Sequence, residues 1–219
     1  MQRPQLYHEL ESIHNELLKM GSMVEEAILH SIQSLKNKDI ELAQKVIDYD
    51  YKIDDMENLI DDKCIKFIAR QHPLAGDLRQ IMVISKMITD LERMGDHCER
   101  IAKYTIKLKD QKYVKELIDI PKISDLVSKM VTKALDAFVK MDSDLARTIW
   151  KMDDEIDHMY KAIYDELLEI MMEDKDKIFQ CTTFLFITAH LERIADYATN
   201  ICEKTVYTCE GVYDMSIQD

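Results

Sequence analysis

The sequence predicts an all-α protein made of two tandem three-helix bundles, residues 1–118 and 119–219, and three observations carry that reading. The stretch Asp90-Leu91-Glu92-Arg93-Met94-Gly95-Asp96-His97-Cys98-Glu99-Arg100-Ile101 returns as His190-Leu191-Glu192-Arg193-Ile194-Ala195-Asp196-Tyr197-Ala198-Thr199-Asn200-Ile201, in register at an offset of 100 residues. Only four glycines and three prolines punctuate 219 residues, against usual shares of about 7% and about 5%, so long helices with few turns are implied. Small and apolar residues at Ile84, Ile88, Leu91, Gly95, Cys98 and Ala102 alternate steps of four and three, the signature of a helix with one buried seam. Phe184, Thr188, Leu191, Ala195, Ala198 and Cys202 repeat it.

The elements follow in order. Leu10, Ile13, Leu17, Met20, Val24 and Ala27 define a first helix from Leu6 to about Leu35. Asn37-Lys38-Asp39 is a polar turn with Asp39 as N-cap, and Val46, Tyr49, Ile53, Met56 and Ile60 carry the second helix to about Arg70. His72-Pro73-Leu74-Ala75-Gly76-Asp77 is a turn, after which the third helix runs past Lys107. Lys109 to Ile120 reads as a frayed polar segment, with Pro121 as the hinge between halves. Val127, Met130, Ala134, Phe138 and Met141 mark a fourth helix, Asp142-Ser143-Asp144 a turn, and Ile149, Met152, Ile156, Met159 and Ile163 one continuous fifth helix. The sixth begins after Glu173-Asp174-Lys175-Asp176 and reaches about Thr208, with Gly211 as its stop.

Composition excludes several functions. A net charge of −13 offers no basic surface to nucleic-acid phosphates and repels anionic membranes at long range. No apolar run approaches the roughly 18 to 20 residues that span a bilayer, and Met1-Gln2-Arg3-Pro4 leads into mixed polar residues rather than a signal-peptide core. A cytosolic location is expected. Five cysteines, Cys64, Cys98, Cys181, Cys202 and Cys209, include no C-x-x-C pair and mostly follow apolar faces, so reduced core thiols are expected rather than disulfides or a zinc site.

The chemistry lies in doubled acidic pairs. Glu92 with Asp96 and Glu192 with Asp196 stand four apart beside their seams, and the second helices carry Asp50 with Asp54 and Asp153 with Asp157 at an offset of 103. Such carboxylates repel by about 0.2 to 0.5 kcal/mol per exposed pair and invite a cation. Positions flanking a seam meet across antiparallel helices, so four carboxylates of each half can converge. Hard oxygen donors suit Mg, Ca, Mn or iron, and Asp90, Glu99, His190 and Asn200 are candidate outer members. Two plainer readings stay open. Acidic helix faces are ordinarily solvated, and Arg93, Arg100 and Arg193 can pair with them. Gly95 and Ala195 read as small residues for close helix approach, the methionines as core filling, and His97 as a weaker ligand than the carboxylates.

Leu91-Glu92-Arg93-Met94-Gly95-Asp96-His97 and Leu191-Glu192-Arg193-Ile194-Ala195-Asp196 resemble the paired signatures of the PhoU family. The turn Pro73-Leu74-Ala75-Gly76-Asp77-Leu78-Arg79 and the ending Val206-Tyr207 to Gly211 fit the same family. The resemblance spans essentially the whole chain. It implies two bundles related by a pseudo-twofold, commonly a homodimer, and multinuclear metal sites of iron, manganese or magnesium. Carried onto this chain, the metal residues are Asp50, Asp54, Glu92, Asp96, Glu99, Asp153, Asp157, Glu192 and Asp196. The implied role is regulatory, not catalytic: coupling the ATPase subunit of a phosphate ABC transporter to a sensor histidine kinase and repressing the phosphate-starvation response, with membrane contact only through those partners. Ala195 and Tyr197 depart from the family's usual Gly and His, and His190 replaces the Asp90 of the first motif, so the two sites are expected to differ. A rival from another class is a carboxylate-bridged di-iron enzyme, supported by the Glu-x-x-His spacings Glu11 to His14 and Glu155 to His158. Neither a Gly-rich phosphate loop nor a nucleophile motif supports catalysis.

Overall fold

Two aspartates set the repeated frame. Asp39 accepts a hydrogen bond from the Leu42 amide at 2.9 Å, and Asp142 accepts one from Leu145 at 2.9 Å. Each follows a left-handed residue that ends the preceding helix, Lys38 at φ 54° and Met141 at φ 54°. The turn that opens the second helix is therefore duplicated in both chemistry and geometry. A computed structural model describes residues 4–215. Its helices are α1 Pro4–Asn37, α2 Ile40–Gln71, α3 Ala75–Lys107, α4 Asp119–Lys140, α5 Ser143–Trp150, α6 Asp153–Glu173 and α7 Ile178–Glu210, with a 3₁₀ turn at Lys175–Lys177.

Helices α1, α2 and α3 pack as one bundle, and α4, α5, α6 and α7 as the other, α5 and α6 together taking the place of α2. Both predicted seams of α3 and α7 are buried along their whole length. The bundles meet through α3 against α7 and α1 against α4, so each third helix is covered on two sides and one apolar core runs through the molecule.

The expected fifth helix is divided. Around Lys151 and Met152 the ladder tightens, with Met152 N–H bonding the Ile149 carbonyl at 2.9 Å and Glu155 N–H the Met152 carbonyl at 3.2 Å. Bonds of this i→i−3 kind turn the chain more sharply than an α-helix. Asp153, Asp154 and Glu155 then occupy the first turn of α6, where negative charge is favoured by the exposed amides. Pro121 is not a hinge: it sits in the first turn of α4, where the missing N–H costs nothing. Nor is the connection 108–118 frayed. Tyr113 donates its hydroxyl to the Leu35 carbonyl at 2.6 Å and packs edge-on against Phe184. Gln180 accepts from Val114 N–H and donates to the Lys112 carbonyl at 3.1 Å. Both bundles thereby hold the connection.

The four cysteines Cys64, Cys98, Cys181 and Cys202 are buried free thiols, and Cys209 is half-buried and free. No described helix is long and apolar enough to cross a membrane.

Candidate functional site

In the first bundle α2 presents Asp50 and Asp54 to Glu92, Asp96 and Glu99 of α3. Burial, followed by the charges of Asp54, Asp96, Glu99 and Glu92, pushes the Asp50 carboxyl up to about 7. Asp54 is raised by burial and then by Asp96, Glu57, Asp55 and Glu99. Glu92 is raised by burial and then by Asp96, Glu57 and Asp54, with Arg93 opposing. The doubled spacing thus brings five predicted residues to one patch, and Glu57 is a sixth that sequence reasoning missed. Its position seven after Asp50 on the same helix was an available signal. Glu57 also accepts a hydrogen bond from Thr89 of α3 at 2.7 Å.

Gly95 explains how Asp50 is tucked inward. A Cβ at this position would stand 2.9 Å from Ile53 Cδ1 and 3.0 Å from Asp50 Oδ1. Glycine inside a helix costs roughly 1 kcal/mol relative to alanine; here it leaves space for the carboxylate and for the seam residue beneath it.

In the second bundle α6 presents Asp153 and Asp157 to Glu192 and Asp196 of α7. Burial first, then Asp157, Asp196 and Asp154, pushes Asp153 up to about 6. Glu192 is raised by burial, Asp196 and Asp157 against the pull of Arg193. Asp196 is raised by burial, which outweighs Arg193. Among the described residues Asp153 Oδ1 is buried with no hydrogen-bond partner, so its desolvation is left without a compensating bond from them. Tyr160 and Thr199 stand where the first patch has Glu57 and Glu99.

Among the described residues no group of three or more His, Cys, Asp or Glu side chains is arranged to hold a metal ion as the rotamers stand. The acidic pairs converge by helix, while their carboxylates remain apart. Part of the plainer reading also holds: Arg100 bonds Asp96 at 3.0 Å, and Lys103 bonds Glu99 at 2.5 Å.

Two suggested outer members belong elsewhere. Asp90 is buried and ion-paired to Lys204 of α7 at 2.5 Å. His190 places Nδ1 2.9 Å from His97 Nδ1, so one imidazole donates to the other. Burial and the arginines Arg100 and Arg193 hold both imidazoles down near 4, and the His190 ring lowers His97 further. His97 also stacks on Tyr197, its own repeat counterpart, at 5.9 Å. Contact between equivalent residues places this pair on the axis relating the halves, with Asp90–Lys204 and His190–Tyr104 as mirrored contacts on either side. The two Glu-x-x-His spacings form no shared centre. His14 packs edge-on against Phe138 of α4, whereas His158 is exposed and bonds the Asp154 carbonyl.

Comparison with known proteins agrees with this doubled design. The PhoU domain model matches residues 17–105 and again 120–205. The PhoU homolog of Clostridium acetobutylicum, described as a phosphate-specific transport system accessory protein, is 44% identical over 204 residues, covering 93% of each chain. The Escherichia coli K12 accessory protein PhoU is 38% identical over 203 residues, 93% of this chain and 84% of that protein. The crystal structure of PhoU from Pseudomonas aeruginosa superposes with a TM-score of 0.89 at 38% identity, over 94% of this chain and 99% of that one. With two matched domains, whole-length relatives and a shared arrangement of helices, the chain belongs to the PhoU family.

Proposed function

We propose that this chain is a non-catalytic accessory and regulatory protein of phosphate-specific transport, which represses the phosphate-starvation response by coupling a transporter's ATPase subunit to a sensor histidine kinase. The observation that carries this reading is the match of both bundles, over nearly the whole chain, to accessory proteins of phosphate transport. The protein acts at the inner face of the membrane through those partners and works as a homodimer.

The acidic patches are read as metal sites. Asp50, Asp54, Glu92, Asp96 and Glu99 would hold metal in the first, and Asp153, Asp157, Glu192 and Asp196 in the second. What supports this is an all-oxygen donor set suited to magnesium, manganese or iron, raised carboxyls at Asp50 and Asp153, and the unpartnered Asp153 oxygen. Bound cations would supply charge neutralisation. The protein's own part is to bring α2 against α3, and α6 against α7, with carboxylates that repel until neutralised. Asp96 and Glu99 must leave Arg100 and Lys103 to join.

The test is complementation of a host lacking its own PhoU, with a phosphate-starvation reporter, alongside pull-downs with the cognate ATPase subunit and kinase. Restored repression in rich phosphate and capture of both partners are expected. A reporter that stays fully active, together with no capture of either partner by folded protein, contradicts the proposal.

A further inference from the structure

The repeat brings its two motif arginines together. Arg93 and Arg193 follow Glu92 and Glu192 in the duplicated sequence, and the pseudo-twofold places both on one cleft of about 300 Å³ with Arg100, Asp96, His97 and Tyr197. Three guanidinium groups therefore share a small space in a chain of net charge −13. Among the described residues the arginine ion pairs are those of Arg100 with Asp96 and of Arg147 with Asp144 and Glu210. Arg93 and Arg193 sense their neighbouring carboxylates only at longer range. Asp96 opposes an anion in this cleft, but Arg100 already offsets its charge at 3.0 Å.

We propose that this axial cleft is a binding site for a small multivalent oxyanion of the phosphate class, held by Arg93 and Arg193 with support from Arg100. Guanidinium forks match tetrahedral oxyanions in two-pronged hydrogen bonds, and Arg keeps its charge at any physiological pH. The volume admits a small anion, while the acidic patches on either flank repel an extended polyanion. Because one arginine comes from each half, an occupant would tie α3 to α7 across the axis. That is a direct way for ligand to set the relative placement of the bundles. The site does not depend on the metal reading, since the arginines converge whether or not the carboxylates hold cations.

The test uses chelator-treated protein, so that bound metal cannot recruit the anion, with metal content measured in the same samples. Calorimetric titration at low ionic strength is run with inorganic phosphate and, separately, with ADP. Saturable binding of at least one probe is expected. The Arg93→Gln, Arg193→Gln double variant should bind about tenfold or more weakly, as expected for lost charge-assisted hydrogen bonds, while Lys133→Gln on the exposed face of α4 should match the parent. Binding of inorganic phosphate makes the free ion the ligand, and binding of ADP alone makes it a nucleotide's phosphate. Arg193→Lys, which keeps the charge and loses the fork, should fall between parent and double variant, and helix content and Tm show that each variant is folded. Absence of saturable binding by the parent to either probe, or a folded double variant that binds like the parent, overturns the proposal.

Discussion

The two acidic patches share a motif and differ in construction. The first lies on α2, an unbroken helix of 32 residues, and depends on Gly95 for close approach to α3. The second begins where its helix has just been interrupted: Asp153 is the first residue of α6, and Ala195 stands in the place of Gly95. The first patch gathers Glu57 and Glu99 in addition to its paired carboxylates, whereas the second has Tyr160 and Thr199 there. Burial first, and then the neighbouring carboxylates, Glu99 among them for Asp50, push Asp50 up to about 7 and Asp153 to about 6. Duplication has preserved which residues meet while letting the charge density, and hence the expected hold on a cation, diverge.

The largest effects test whether the halves act as one body. Ile53 and Ile156 are repeat equivalents beneath the two patches, each at most 1% exposed. Truncating either to Ala should cost about 2 to 5 kcal/mol. Because α3 and α7 join the bundles, each variant should still melt in one transition at lower Tm. Two separated calorimetric transitions would show that the bundles are independent. Next comes pH. Asp50 and Asp153 both have folded values above the ordinary 3.8, so the folded state holds their protons more tightly than the unfolded chain. The stability this gives is full below about pH 4 and lost as pH rises through about 6 and about 7. Tm of chelator-treated protein should therefore fall between about pH 6.5 and about pH 8, above the range in which His97 and His190, held near 4 in the folded state, add stability of the opposite sign. Asp50→Asn should remove the part centred near 7 and Asp153→Asn the part near 6. A Tm flat or rising over that window would contradict the assignment. The smallest effects come from exchanging the seam residues. Gly95→Ala gains about 1 kcal/mol of helix propensity but sets a methyl group against Ile53 and Asp50, for a net change under about 1 kcal/mol. Ala195→Gly should lose about 1 kcal/mol. Denaturant melts measure both, and metal titration should show Gly95→Ala weakening only the first patch.

Much of this is legible because seam residues and short polar turns are local signals. Asp39 and Asp142 announced their turns, and the step pattern through Leu91 and Leu191 placed the acidic pairs beside buried faces. The break before α6 is not legible in the seam, since Ile149, Met152 and Ile156 keep their rhythm through it and neither Gly nor Pro marks it. The run Asp153-Asp154-Glu155 was the available sign, being acidic in the way helix starts are. The fate of Asp90 and His190 was hidden for another reason. Both sit on faces decided by how α3 crosses α7, and intra-helix spacing says nothing about which side of a helix meets the other bundle. The same crossing joins Arg93 to Arg193.

The most direct test of the central claim, that the repeat builds two metal patches of unequal strength, is elemental analysis with native mass spectrometry on protein purified without tag or chelator. The parent is compared with Asp50→Asn, Asp54→Asn, Glu92→Gln, Asp96→Asn and with Asp153→Asn, Asp157→Asn, Glu192→Gln, Asp196→Asn. Metal in the parent, a larger loss in the first variant than in the second, and folded protein throughout are the predicted result. A folded parent that takes up no manganese, magnesium or iron when these are supplied, or variants that both keep the parent's metal content, would contradict it.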